Sequence, residues 1–366
     1  MSIWRWRELG KRVDQRLQAS LGEGDTATIA SRRISAEVGL PHLWFKLESG
    51  NPTGSYKDRF AAAAISHMRE TRKRRCVTTS SGNTGSALAA YCAAYGLDCH
   101  IAIVEGAPAG KLVQMLAYGA QLFRVRGFGF DPLVTERTFS TLEAIGRQQD
   151  ASLQISAYRY SPDGMVGVQT ISYELATQLD AIDHVFTPAG GGGLTWAVAK
   201  GFRDLVENGC LPRMPGIHCV QPEGNATIAA PLRAGGQHAV AVQSKTRISG
   251  LQVPTVIDGD GAIAACRESA GTGFTVSDDE VFQAQRRMAR SEGIFCEPAG
   301  AVALAGCLKA LATGEIDATD SCVCLVTGSG FKDLAAAEAM CDLSACPLVD
   351  DCELSELMSS RPSGQV

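Results

Sequence analysis

The chain has 366 residues, of which 45% are hydrophobic and 20% are charged, a balance typical of globular proteins. The net charge of −5 gives no basic excess that would favour nucleic acid or an anionic membrane as a partner. The sequence contains no run of about 18 apolar residues, which a membrane span requires, and its first residues lack the apolar core of a signal peptide. We therefore expect a cytoplasmic protein without a membrane or nucleic-acid partner.

Thirteen cysteines are present, and most of them lie inside apolar runs. Buried thiols in a reducing compartment explain this pattern better than disulfides do. Cys341, Cys346 and Cys352 cluster near the end of the chain, but their spacing matches no zinc site. We therefore predict no metal site.

The first predicted element is a helical arm over residues 2–20, which carries Trp4, Trp6 and Leu9 among its apolar side chains. Residues 42–47 then predict a strand, because the run is apolar and rich in aromatic residues. This strand leads into the stretch that dominates the functional interpretation.

That stretch reads Glu48-Ser-Gly-Asn-Pro-Thr-Gly-Ser-Tyr-Lys-Asp-Arg59. Its glycines, asparagine and proline break regular structure, and Ser55 is the predicted N-cap of an alanine-rich helix. Lys57 then lies in the first helical turn, where the partial positive charge of the helix end lowers the pKa of its amine. A lowered pKa suits an amine that must be neutral to attack an aldehyde. From these residues alone, a solvated lysine on a turn is the alternative.

Strands and helices alternate through the rest of the chain. Strands are predicted at 76–79, 99–104, 121–125 and 153–156, and helices at 83–95, 109–118, 131–149 and 165–179. Further strand–helix units continue to about residue 335. The alternation predicts an α/β fold with parallel sheets flanked by helices and joined by right-handed crossovers.

We expect two lobes and a tail. The small, mobile lobe would span 60–160, and the large lobe would combine 1–59 with 161–340. From residue 341 to 366 the pattern becomes irregular and polar, which predicts a tail without regular structure.

Three further turns rich in glycine and hydroxyl residues follow predicted strands. They are Ser80-Ser-Gly-Asn-Thr-Gly85, Gly190-Gly-Gly-Gly193 and Thr327-Gly-Ser-Gly330. Loops at the carboxyl ends of parallel strands converge on one crevice, where α/β proteins bind ligands. A dinucleotide site is an alternative for the four glycines, but Thr195 stands where the third glycine of that motif belongs.

The motif Asn51-Pro-Thr-Gly-Ser-Tyr-Lys-Asp-Arg59 and the three turns, in this order, resemble the fold-type II pyridoxal 5′-phosphate enzymes of the tryptophan synthase β-like superfamily. Within them, the entry stretch Leu21-Gly-Glu-Gly-Asp-Thr26 is most similar to that of threonine synthases. The resemblance covers roughly residues 2–335. It implies a two-lobed α/β fold, a pyridoxal phosphate cofactor, a small amino-acid substrate and a homodimer.

The resemblance also implies a role for each turn. Lys57 would be the catalytic residue, binding the cofactor's aldehyde and then moving protons at the substrate's Cα and Cβ. Asn83 would contact the cofactor's 3′-oxygen. The substrate α-carboxylate would be bound by Ser80, Ser81, Gly82 and Thr84. The cofactor phosphate would be held by Gly190, Gly191, Gly192, Gly193 and Leu194.

Thr327 or Ser329 would meet the pyridine nitrogen, and the similarity to threonine synthase favours Thr327. A hydroxyl leaves that nitrogen largely unprotonated, so the ring is a weaker electron sink, which favours eliminations and replacements over transamination. Glu297, in Glu297-Pro-Ala-Gly-Ala301, would line the cofactor ring or cap a helix.

The substrate pocket departs from that of threonine synthases. Gly164 stands where their phosphate-binding arginine belongs, and Asp163 adds a negative charge beside it. The loss of a charged hydrogen bond costs on the order of 1.5–3 kcal/mol, although Arg159 could compensate after a shift in register.

We therefore expect a pyridoxal-phosphate-dependent lyase or synthase that acts on a serine- or threonine-like amino acid. It would catalyse β-elimination or β-replacement through an aminoacrylate-type intermediate. The alternatives are a true threonine synthase, which converts O-phosphohomoserine to threonine and phosphate, and a non-catalytic pyridoxal-phosphate-binding protein.

Overall fold

Two β-sheets organise the chain in a computed structural model that describes residues 2–6 and 13–359. The strands are β1 (Thr28–Ala30), β2 (Leu43–Leu47), β3 (Arg75–Thr79), β4 (Asp98–Val104), β5 (Gln121–Val125), β6 (Ala151–Leu153), β7 (His184–Pro188), β8 (Gly216–Pro222), β9 (Gly273–Val276) and β10 (Cys322–Val326). The α-helices are α1 (Arg33–Val38), α2 (Lys57–Glu70), α3 (Asn83–Tyr95), α4 (Ala109–Ala117), α5 (Pro132–Gly146), α6 (Pro162–Gln178), α7 (Gly193–Glu207), α8 (Ala229–Arg233), α9 (Gly259–Glu268), α10 (Asp278–Arg287), α11 (Pro298–Ala312), α12 (Leu334–Glu338) and α13 (Asp351–Ser359). Single helical turns add Ile3–Trp6, Glu48–Gly50, Glu223–Asn225, Met288–Glu292, Gly330–Lys332 and Leu343–Ala345.

The larger sheet has the strand order β1-β2-β10-β7-β8-β9, and the smaller one has the order β5-β4-β3-β6. Neighbouring strands are parallel throughout, except that the edge strand β1 runs antiparallel to β2. Every residue of β8 and β10 is buried, as expected of parallel strands covered by helices on both faces. The predicted α/β class is therefore confirmed, whereas the antiparallel edge strand was not foreseen.

The smaller sheet is built entirely from strands between Arg75 and Leu153, inside the predicted small lobe. The lobe boundaries themselves stay a prediction. Nine cysteines are buried free thiols, as the apolar runs predicted. The sulfur atoms of Cys76, Cys92 and Cys99 lie within 4.8 Å of one another, where β3, β4 and α3 pack together. None of the described helices is long and apolar enough to span a membrane.

Three predicted elements were wrong or misplaced. In the described part of the predicted helical arm, Ile3–Trp6 form a single turn and residues 13–20 contain no helix, and the Trp4 indole N–H donates to the carbonyl of Ala19. Leu9 lies outside the described residues. The predicted tail without regular structure contains the exposed helix α13, while residues 360–366 lie outside the description. The strand predicted at 153–156 ends at Leu153, as β6.

A buried cluster of four charged side chains joins α2 to β2 and α6. The Arg59 guanidinium donates to both carboxylate oxygens of Glu48 at 2.7 Å and to both of Glu174, at 2.6 and 2.7 Å. The Lys46 ammonium completes the cluster at 2.8 Å from Glu174. Burial alone would raise the pKa of Glu174, but Arg59 and Lys46 outweigh it and lower that pKa to about 2. The two positive and two negative charges therefore satisfy one another without water.

We expect Arg59→Met to lower the free energy of unfolding by about 3–5 kcal/mol, because Glu48 and Glu174 would stay buried without their partner. Urea denaturation measures this loss. Arg147→Gln is the control, since Arg147 is 77% exposed and its pair with Glu143 should contribute no more than about 1 kcal/mol. Equal losses in the two variants would contradict the assigned role of the cluster.

Candidate active site

The candidate site lies at the carboxyl ends of β2, β10 and β7, which are neighbours in the larger sheet. Because these strands are parallel, the loops that follow them leave the sheet at the same edge. The loops are residues 48–56, which lead to Lys57, residues 327–329, and the glycine loop, residues 190–193. The fourth predicted turn, residues 80–84, follows β3 of the smaller sheet and meets the others through Asn83.

Backbone hydrogen bonds hold the loop before Lys57 against the segment after β10. The N–H of Tyr56 donates to the carbonyl of Thr327 at 3.0 Å, and the N–H of Ser329 donates to that of Gly54 at 2.9 Å. The N-cap of α2 is Tyr56 rather than the predicted Ser55; the Ser55 backbone pairs with Gly328, while its hydroxyl accepts the N–H of Lys57 at 3.4 Å. These hydrogen bonds tie the loop after β2 to the segment after β10, and together they fix the position of Lys57 at the start of α2.

The Lys57 side chain is half-buried, and its amine has a polar and an aromatic neighbour. Its Nζ donates to Ser156 Oγ at 2.8 Å and lies 4.3 Å from the centre of the Tyr56 ring. Burial lowers the pKa of this amine to about 7, against the opposing influence of the Glu297 and Asp258 carboxylates. The direction agrees with the prediction, but the cause is desolvation rather than the helix end. A large fraction of the amine is therefore neutral at neutral pH and able to attack an aldehyde.

The last two positions of the glycine loop have no room for a side chain. Gly192 has φ of +94°, and a Cβ there would lie 3.0 Å from Ile228. A Cβ on Gly193 would lie 3.0 Å from the Asp258 carboxylate. Because α7 begins at Gly193, its free N–H groups are available to an anion. Leu194 is buried in the apolar core, so that it would contribute through its backbone alone.

Asp258 and Ser156 belong to this site, although sequence reasoning missed both. Asp258 accepts the backbone N–H groups of Tyr158 and Arg159 at 2.7 and 3.1 Å, so it fixes the chain that carries Ser156. Burial raises the pKa of Asp258. Neither residue lies in a recognisable sequence motif. Each belongs to a part of the chain that is distant from Lys57 in sequence and reaches it only through folding.

Asn83, Thr327 and Glu297 form a hydrogen-bonded group that joins the two sheets. The Asn83 amide donates to the Glu297 carboxylate at 2.9 and 3.1 Å, and the Thr327 hydroxyl donates to it at 3.4 Å. Glu297 makes no capping bond to α11, so the carboxylate faces the site instead. Ser329 points elsewhere, because its hydroxyl accepts the N–H of Phe331. Of the two hydroxyls predicted to meet the cofactor, Thr327 is the one directed at this group.

The turn at residues 80–84 opens α3 without a side-chain cap. The N–H of Gly82 donates to the Ser80 hydroxyl at 3.2 Å, and Ser80, Ser81, Gly82 and Thr84 are all half-buried. The turn is therefore accessible and has uncapped N–H groups, as a carboxylate site requires. Its assignment to the substrate stays a prediction.

Gly164 and Gly167 have a packing role in α6. A Cβ on Gly164 would lie 2.5 Å from the Phe60 ring, and one on Gly167 would lie 2.0 Å from the carbonyl oxygen of Arg59. These glycines let α6 lie directly against α2, so an arginine side chain cannot occupy position 164 in this arrangement. Arg159 is exposed, with its guanidinium 5.5 Å from the Tyr160 ring.

The residues present fit pyridoxal phosphate. A half-buried amine whose pKa is lowered to about 7 suits the aldehyde, and glycines at a helix N-terminus suit the phosphate. A hydroxyl, an amide and a carboxylate converge beside them, from Thr327, Asn83 and Glu297.

Comparisons with known proteins agree with this geometry. The family described as "Pyridoxal-phosphate dependent enzyme" matches residues 19–328. Similar proteins include the threonine synthase of Methanocaldococcus jannaschii, 31% identical over 98% of this chain and 86% of the relative. The threonine synthase of Halalkalibacterium halodurans is 32% identical over 96% of both chains.

Similar solved structures include the processed form of threonine deaminase isoform 2 from Solanum lycopersicum, with a TM-score of 0.73 and 22% identity over 92% of both chains. Maize serine racemase has the same TM-score, with 23% identity over 93% of this chain and 96% of that one. At these identities the structures establish the shared fold.

We expect the cofactor-free protein to capture pyridoxal phosphate at a rate that is half-maximal near pH 7 and constant at higher pH. A lowered pKa leaves the Lys57 amine neutral, and hence nucleophilic, above that pH. Borohydride trapping at a series of pH values measures the rate, and Lys57→Ala should abolish it. A midpoint near that of an ordinary lysine, about 10.4, would contradict the lowered pKa.

Gly164→Ala should lower the free energy of unfolding by about 1–3 kcal/mol, because the added methyl would press on the buried Phe60 ring. Gly110→Ala in α4 is the matched control, since a Cβ there has no neighbour within 4 Å and alanine favours a helix. Chemical denaturation of both variants measures the change in the free energy of unfolding that each substitution causes. If Gly164→Ala were as stable as the natural protein, position 164 would have room for a side chain.

Proposed function

Because the chain belongs to the family of pyridoxal-phosphate dependent enzymes, we propose that it is a lyase or synthase acting on a serine- or threonine-like amino acid. The reaction is a β-elimination or β-replacement, with Lys57 as the catalytic residue. The observation that carries the proposal is the Lys57 amine, whose pKa burial lowers to about 7 and which interacts electrostatically with Glu297 and with Asp258, the neighbour of the glycine loop. The cofactor of the family is pyridoxal phosphate.

When bound, the cofactor supplies the electron sink that makes the substrate's Cα proton removable. The residues of this chain do the rest. The neutral Lys57 amine accepts that proton and later returns a proton to the departing group or the product. Residues 80–84 hold the α-carboxylate, and the glycine loop anchors the cofactor phosphate. Thr327 would contact the pyridine nitrogen, and Asn83 would contact the 3′-oxygen.

The small lobe supplies part of the enclosure. The Lys332 amine donates to the Gln114 side chain at 2.7 Å, and Lys111 lies 3.4 Å from the Asp333 carboxylate. Both pairs join α4 to the segment after β10. We propose that residues 60–160 close over the bound substrate, so that Lys57 is kept from water during the reaction.

A second candidate is threonine synthase itself, which is favoured by about 31–32% identity to threonine synthases over nearly the whole chain. The packing at Gly164 weighs against it, because the phosphate-binding arginine has no place there. A phosphorylated substrate would then need another cationic side chain to bind its phosphate.

Substrate consumption distinguishes the two candidates. We expect the cofactor-loaded protein to convert serine or threonine to a 2-oxo acid, and to release little phosphate from O-phospho-L-homoserine. Rapid release of phosphate together with threonine would establish the second candidate instead. Consumption of no amino acid, including phosphoserine and O-acetylserine, would contradict both.

Lys57→Ala should lower kcat by about 10³-fold or more, because the group that moves the proton is lost. Lys73→Ala is the matched control; the Lys73 amine bonds the carbonyls of Gln148 and Gln149 at the far end of β3 and should leave kcat unchanged. Steady-state kinetics on the substrate identified above measures both. Retained activity in Lys57→Ala would show that another residue moves the proton.

A further inference from the structure

We propose that Cys76, Cys92 and Cys99, here called the thiol triad, form a binding site for a soft, thiol-seeking ion that bonds three sulfur atoms, with trivalent arsenic as its chemical class. The three sulfur atoms lie within 4.8 Å of one another, and among the described residues this is the group of side chains that is placed to hold an ion. The inference goes beyond the proposed function and does not depend on it. It also differs from the sequence-based expectation of no metal site, which rested on the cysteine spacing near the end of the chain.

The fold brings the triad together from three elements of the small lobe. Cys76 and Cys99 are direct partners on the parallel strands β3 and β4, and Cys92 lies on α3, which packs against both strands. Each strand contributes its second residue, so the triad lies near the amino ends of the strands, whereas the turn at residues 80–84 follows the carboxyl end of β3. Cys92 lies nine residues after Asn83 on α3, which corresponds to about 14 Å along the helix. The triad is therefore separate from the candidate active site.

The spacing of the sulfur atoms suits bonds to one small centre. Three atoms no more than 4.8 Å apart lie within about 2.8 Å of a common point, and a bond from sulfur to an ion such as zinc is about 2.3 Å. Each sulfur atom therefore has to move by at most about 0.5 Å to bind a shared ion. The triad supplies three ligand atoms, whereas structural zinc is almost always bound by four.

The surroundings of the triad favour a complex without net charge. All three side chains belong to the apolar core and are buried, with exposed fractions of 0% for Cys76, 1% for Cys92 and 6% for Cys99. Asp98 acts electrostatically on Cys92, and His100 acts on Cys99. A buried charge without a partner is costly in free energy. Three thiolates leave a zinc(II) or copper(I) complex negatively charged, which Asp98 would oppose, whereas the complex with trivalent arsenic is neutral.

The binding step needs no oxidant or reductant. Arsenous acid, As(OH)₃, is small and uncharged at neutral pH. Each thiol replaces one hydroxyl group: an As–S bond forms, an As–O bond breaks, and the thiol proton leaves with the hydroxyl as water. Three exchanges release three water molecules, and arsenic stays trivalent. Hydrogen bonds from Cys76 and Cys92 lower the pKa of the Cys99 thiol, and Cys99 is also the most exposed of the three, so we expect it to react first.

The first test measures arsenite binding by the full-length natural protein. A phosphine keeps the cysteines reduced without competing as a thiol, and gel filtration removes unbound arsenite. We expect elemental mass spectrometry to find one arsenic atom per chain, and X-ray absorption at the arsenic edge to find three sulfur neighbours and no oxygen. Protein that retains no arsenic, or arsenic with fewer than three sulfur neighbours, would overturn the inference.

Single substitutions locate the site. Cys76→Ala, Cys92→Ala and Cys99→Ala should each weaken arsenite binding by about 10²–10⁴-fold, because a further linked binding group strengthens binding by about that factor. Cys307→Ala is the matched control, since Cys307 is likewise buried beside two other thiols and should leave binding unchanged. Equal binding by the natural protein and the three triad variants would place the arsenic on other cysteines and would contradict the proposal.

Zinc tests the argument from charge. Under the same conditions the natural protein should retain no zinc, because a zinc complex of the triad would be charged and three-coordinate. Retained zinc that is lost in Cys92→Ala would show that the triad accepts a charged complex, and the assignment to a neutral one would be wrong. Circular dichroism establishes whether each variant is folded. If a triad variant does not fold, the number of sulfur neighbours in the natural protein still decides the outcome.

Discussion

The buried pairing of Arg59 with Glu48 and Glu174 is the constraint on which the site depends. Arg59 lies two residues after Lys57 on α2, and its partners come from the loop after β2 and from α6. Because all of these charges are removed from water, none of the three elements can shift without leaving an unpaired ion in the interior. The cluster therefore fixes the start of α2, and with it Lys57, relative to the edge of the larger sheet.

Glycines complete this arrangement by allowing backbones to approach closely. Gly164 and Gly167 bring α6 against α2, which strengthens the setting of Lys57 but removes any side chain from a position where related enzymes are expected to bind phosphate. At the start of α7, Gly192 and Gly193 avoid clashes with Ile228 and Asp258, and the first N–H groups of the helix have no partner within the helix itself.

The chemistry of the site depends on contacts between the two sheets. Asn83 meets Glu297 across 214 residues of sequence, and Lys332 meets Gln114 across 218. Lys57 lies in the same region, and burial lowers the pKa of its amine. The lowered pKa of the lysine is therefore a property of its burial in the tertiary structure rather than of the helix on which it lies.

The sequence by itself determined the α/β class, the order of most strands and helices, and the four turns that meet at the site, because turn residues and apolar periodicity act over a few neighbouring positions. Only the tertiary structure decided that Glu297 faces Asn83 and Thr327 rather than capping α11, and that Ser156 and Asp258 accompany Lys57. The tertiary structure also brings the Trp4 indole to the carbonyl of Ala19 and makes Gly164 a packing contact between α6 and α2. Each of these features joins residues far apart in the chain, and a local sequence pattern does not indicate which distant residues will be buried together.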